Sequence, residues 1–100
     1  MPTEVHRYTF HDIVPDEELE QTLLLSVLAV ESLHGETRVR LDGRYCLNAK
    51  ARDCVIDANT AVGRDLNRIF VGFLSREFGP ASFRVRRVNE FTLKRQEQTT

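Results

Sequence analysis

Tryptophan is absent from this 100-residue sequence, and tyrosine and cysteine occur only twice each. With Tyr45 and Tyr8 the only tyrosines, there is little aromatic interleaving for a single-strand nucleic-acid platform, which needs rings on which bases stack. Cys46 and Cys54 do not form a CxxC and fall in segments that read as strands. They are expected as small buried hydrophobes in a reduced protein. Net charge is nearly absent too: 14 Lys and Arg against 15 Asp and Glu leave −1. No global field therefore recruits nucleic acid or an acidic membrane, and any such affinity must come from a local patch. No signal peptide and no apolar run of about 18 residues is present, so a cytoplasmic protein with no membrane association is expected.

The chemistry-bearing motifs are missing as well. There is no GxGxxG and no GxxxxGK[ST] to cradle a phosphate. His6, His11 and His34 show no metal-ligand spacing with each other or with the cysteines. Ser26, Ser32, Ser75 and Ser82 lack a neighbouring base or a GxSxG elbow. Nothing beside Cys46 in sequence would lower its pKa. No enzyme, no metal and no cofactor is expected.

What remains is the patterning of a single α/β domain over residues 1–100, ordered from about 5 to 90, with both ends frayed. Residues 5–10 (VHRYTF) alternate as a strand. Pro15 opens a helix, tolerated where its missing N–H leaves nothing unpaired, and Asp16, Glu17 and Glu18 suit the positive end of the dipole. Residues 19–33 carry an apolar surface wider than one stripe, and Gly35 is a plausible terminator. Residues 37–41 (TRVRL) and 44–48 (RYCLN) alternate, and Asp42-Gly43 between them signals a hairpin. Residues 48–53 form a polar connection into the strand at 54–56. A helix over about 61–78 places Val62, Leu66, Ile69, Phe70, Phe73, Leu74 and Phe78 at spacings of three and four. Gly79 and Pro80 stop it, and residues 82–88 (SFRVRRV) make the last strand. The order β-α-β-β-β-α-β implies a two-layer α/β sandwich, two helices on one mixed sheet.

Two places invite a binding function. The turn from Asp57 to Arg64 ends a strand and opens a helix, as many anion sites do. Arg64 can assist there, and Gly63 permits close approach. Asp57 can hold the loop's N–H groups, and Asn59 or Thr60 can cap the helix. The plainer expectation is a capped helix start. The second place is arginine-lined: Arg38 and Arg40 share one face of their strand, Arg84 and Arg86 one face of theirs. If the helices cover Val39, Leu41, Phe83 and Val85, the four arginines share the open face of the sheet. That face suits an anion or an acidic partner. It equally suits solvated charges that keep edges from pairing.

The first helix carries the clearest functional hint. Leu23, Leu24, Leu25 and Leu28 cover more than half its circumference, so part of that surface needs a partner. The stretch VIDAN…LNRIFVGFLSREFGPASFRVRRV, residues 55–88, also resembles the core of STAS-like domains, small α/β regulators related to anti-sigma-factor antagonists. Asp57 matches their strand-end Asp and Phe78-Gly79 their helix end. Phosphorylated members carry a Ser or Thr at the helix start, where Thr60 is the nearby hydroxyl. The resemblance implies protein–protein regulation without catalysis. A protein-interaction domain, with itself or a regulatory partner, is therefore expected; the alternative is an anion- or nucleic-acid-binding module.

Overall fold

A computed structural model of the chain describes residues 4–89. The elements run β1 (Val5–Phe10), α1 (Asp16–His34), α2 (Glu36–Asp42), β2 (Tyr45–Asn48), β3 (Asp53–Asp57), α3 (Ala61–Phe78), a 3-10 turn (Pro80–Ser82) and β4 (Phe83–Val88). The fraying expected at the termini falls on residues 1–3 and 90–100, outside the described residues. The architecture is the expected two-layer α/β sandwich, with helices packed on a single sheet. No helix among the described residues is long and apolar enough to cross a membrane.

The sheet order is β2-β3-β1-β4, and every neighbouring pair is antiparallel. This corrects the expected mixed sheet. The helical crossovers do make β1 parallel to β2 and β3 parallel to β4. Each parallel pair is split by a third strand, so no two neighbours run the same way, as in split β-α-β connectivity.

Alternation along the strands sorts the side chains by face. Tyr8 and Phe10 of β1, Cys54 and Ile56 of β3, and Phe83 and Val85 of β4 turn toward the helices. They meet Leu19, Leu23, Val27 and Val30 of α1 and Val62, Leu66, Phe70 and Leu74 of α3. Tyr8 lies at the centre, its ring centroid 5.0 Å from that of Phe70. The opposite face holds a smaller apolar cluster of Val5, Val55, Cys46 and Val88. Beside it Arg7 lies 3.8 Å from Asp53.

Residues 37–41 are helix and not strand, so the described residues form three helices and four strands. Five alternating residues are too few to decide the period. The charges decide it here, because Glu36 and Arg40 (3.0 Å) and Arg38 and Asp42 (3.4 Å) pair at i,i+4. Val39 is the one buried residue of α2. Asp42-Gly43 is not a hairpin turn. Such a turn needs positive φ at both central residues, whereas Gly43 has φ −83° and ends α2 with its N–H on the Val39 carbonyl. The positive φ, 88°, is at Gly35, where α1 stops and α2 starts in a new direction.

Candidate functional site

The β3–α3 turn is built as a closed set of hydrogen bonds. Asp57 Oδ1 accepts from the Asn59 backbone N–H (2.9 Å) and from Asn59 Nδ2 (2.6 Å), while Oδ2 faces Arg44 at 3.4 Å. The Asn59 side chain in turn accepts from the Glu4 N–H at 3.0 Å. Thr60, not Asn59, is the helix cap: its hydroxyl accepts from Gly63 N–H (3.0 Å) and donates to the Asp42 carbonyl (3.1 Å). Gly63 is required by a close approach of backbone to backbone. A Cβ there would lie 1.9 Å from the Asp57 carbonyl oxygen. Asp57, Asn59, Thr60 and Gly63 are thus brought together, and Arg64 is exposed beside them. The polar groups named here satisfy one another, so the turn ties β3 and α3 to the end of α2 and the start of β1.

The four arginines do not share a face. Arg84 and Arg86 lie on the sheet face away from the helices, beside Thr9 and Arg7 of β1. Arg38 and Arg40 belong to α2, in the helical layer, each paired with a carboxylate of its own helix. The four-arginine face depended on residues 37–41 being a strand, and the i,i+4 pairing removes it.

The leucines of α1 divide as their positions dictate. Leu19, Leu23, Val27 and Val30 are buried on the sheet side. Leu24, Leu25 and Leu28 remain 58%, 57% and 48% exposed, and their i,i+3 and i,i+4 spacing makes them one patch. The patch adjoins a groove of about 420 Å³ between α1 and β2, lined by Glu20, Leu23, Leu24, Val27, Tyr45 and Leu47. Among the described residues β2 pairs only with β3 and forms an edge of the sheet. The bond from Asp57 N–H to the Arg44 carbonyl (2.9 Å) sets the alternation. Tyr45 and Leu47 accordingly turn their backbone N–H and C=O outward. An apolar strip, a tyrosine and an unpaired strand edge therefore lie side by side.

The buried titratable groups are structural. The Tyr8 hydroxyl donates to Asn67 of α3. Burial pushes this phenol far above its ordinary value, with the Cys54 thiol a lesser cause. Burial likewise raises the Cys54 thiol, followed by the charges of Asp53 and Cys46, so it stays protonated and unreactive. Ser26 and Ser82 donate to backbone carbonyls (2.8 and 2.6 Å). His34 meets Asp65 at 2.8 Å, joining the end of α1 to α3. Among the described residues no cluster of His, Cys, Asp and Glu is arranged to hold a metal ion.

One organising residue carries no signal in the sequence. Arg52, in the polar connection between β2 and β3, adopts φ 57°. Its guanidinium donates to the carbonyls of Phe10 (3.3 Å), His11 (2.5 Å) and Val14, and pairs with Asp16 at 2.7 Å. It clamps the β1–α1 loop to the β2–β3 turn. Comparison with family models, with curated proteins and with solved structures finds no match.

Proposed function

We propose that the chain is a non-catalytic interaction domain that associates through the outer leucines of α1 and the open edge of β2, with a second copy as its first partner. The observation that carries this is the exposed patch of Leu24, Leu25 and Leu28 beside Tyr45. An antiparallel two-fold pairing of α1 would seat Leu24 on the partner's Leu28. It would also set Gln21 against the partner's Glu31 and Glu20 against the partner's Ser32, so no carboxylate meets another. Such self-complementarity is what an isologous interface requires.

Magnitude favours a weak, adjustable association. Fully burying a leucine contributes about 1.5–3 kcal/mol, so covering three half-exposed ones on each of two protomers contributes about 4–9 kcal/mol. Association costs about 4–15 kcal/mol in lost freedom, which takes up most or all of that gain. The leucines therefore need Tyr45 and the β2 edge in the same interface. A STAS-like relationship for residues 55–88, which their sequence resembles, would imply the same kind of role, regulation by docking. The two free thiols, Cys46 and Cys54, suit a reducing, cytoplasmic setting.

Sedimentation equilibrium tests this. The wild type should show a dimer whose dissociation constant is in the micromolar range, and Leu24→Glu with Leu28→Glu should sediment as a folded monomer. A wild type that stays monomeric at about ten times that concentration contradicts self-association.

A further inference from the structure

We propose that the cleft between the C-terminal end of β1 and the start of β4, at the edge of the sheet far from β2, binds a phosphate-bearing small ligand through Arg84 and Arg86. The cleft has a volume of about 340 Å³ and is lined by Thr9, Phe10, His11, Arg84 and Arg86. Among the described residues no carboxylate lines it. Arg84 and Arg86 are exposed, and among the described residues neither forms an ion pair.

The placement of charge favours an anion. Arg86 stands directly across from Arg7, and Arg84 directly across from Thr9, in the β1–β4 register. Like charges directly opposed on adjacent strands destabilise a sheet. Asp53 meets Arg7 at 3.8 Å and is itself buried, and among the described residues no carboxylate pairs with either β4 guanidinium. Residues two apart on a strand lie about 6.5 Å apart on one face, so both forks can converge on one phosphoryl or diphosphoryl group. Guanidinium forks fit such oxygens in bidentate fashion. The Thr9 hydroxyl and the His11 imidazole add polar groups at the rim.

Size and lining choose the ligand class. The cleft lies at the small end of ligand pockets. Among the described residues its one phenyl ring, Phe10, is buried in the core and offers no base a stacking surface. A nucleic-acid strand is therefore disfavoured relative to a free phosphate or diphosphate. Edge arginines can also serve only to block strand pairing. Such blockers would show no saturable, localised binding.

The test is an amide-shift titration of the full chain with pyrophosphate and with inorganic phosphate. Parallel arms use a single-stranded oligonucleotide and vesicles carrying phosphorylated headgroups. Saturable shifts confined to Thr9–His11 and Phe83–Arg87 are expected, with pyrophosphate bound more tightly than phosphate. Arg84→Gln with Arg86→Gln should weaken binding at least about tenfold with melting temperature unchanged, because charge-assisted bonds are lost from an exposed site. Arg38→Gln with Arg40→Gln should leave it unchanged. Saturable vesicle binding that pyrophosphate displaces would place the same phosphate on a lipid headgroup and support the site. Several results would overturn it: shifts that do not saturate, shifts that survive in the double variant, or oligonucleotide binding that pyrophosphate cannot displace.

Discussion

Replacing Gly63 with alanine should be the most damaging single-methyl change in α3, while the same change at Gly72 should stabilise. At Gly63 the added Cβ would lie 1.9 Å from the Asp57 carbonyl oxygen and 3.2 Å from the Ala58 Cα. Ordinary contact begins at 3.4 Å, so helix and strand must part by ~1.5 Å (3.4 less 1.9). Neither side yields easily, because both contacts are backbone at the end of a fully buried strand. Overpacking costs about 1–3 kcal/mol or more. Displacing the helix start also loosens the Thr60 cap, a further cost of about 0.5–2 kcal/mol. The better helix propensity of alanine returns only about 1 kcal/mol. The net expectation is a loss of about 0.5–4 kcal/mol, a fall in melting temperature of about 4–8 °C for each kcal/mol. Gly72 lies in the same helix, and a methyl group added there would meet nothing within 4 Å, so Gly72→Ala should gain about 0.5–1 kcal/mol. Urea denaturation of both variants measures the pair. A Gly63→Ala protein as stable as wild type would refute the close approach.

Three other outcomes follow from the same contacts. Thr60→Ala should cost about 0.5–2 kcal/mol in thermal unfolding, and Thr60→Asn should recover most of it, because its amide can both accept from Gly63 and donate to Asp42. Thr60→Asp should recover less, since a carboxylate cannot donate to that carbonyl; equal recovery by Asp would discount the Asp42 bond. Arg52→Ala should cost about 2–4 kcal/mol, since it leaves the carbonyls of the β1–α1 loop without their donor, and amide exchange should rise first in residues 10–16. Alkaline titration should unfold the protein: Cys54 and Tyr8 are held neutral by burial, their folded pKa values lying above the unfolded ones. Their stability is complete below pH ~8.5 and falls with rising pH by about 1.4 kcal/mol per unit from the thiol. The slope roughly doubles once the pH passes the free-phenol value of about 10. Unchanged urea midpoints from pH 8 to 11 would contradict this.

The parts legible in the sequence were those where several local signals agree. The strand at Cys54, the polar turn, the capped helix and the Gly79-Pro80 stop each have their own residue chemistry, and the structure places all of them. Residues 37–41 misled because alternation and the i,i+4 charge pairs compete over too short a span. Without the fold, nothing showed that Val39 alone needed burial. That error also put Arg38 and Arg40 on the wrong surface, whereas Arg84 and Arg86 were placed correctly by alternation alone. Arg52 was illegible because its partners are backbone carbonyls some forty positions away, which no side-chain pattern announces. The width of the α1 leucine surface was legible, but which leucines stay outside depended on the side from which the sheet approaches.

The central claim, association through α1 and β2, is tested most directly by diluting the isotope-labelled protein and following its amide shifts from about ten times the dissociation constant to a tenth of it. Concentration-dependent shifts should be confined to Glu20–Ser32 and Tyr45–Asn48, with the β3–α3 turn and β4 unmoved. Shifts that leave Leu24, Leu25, Leu28 and Tyr45 untouched, or no shifts at all, would contradict it.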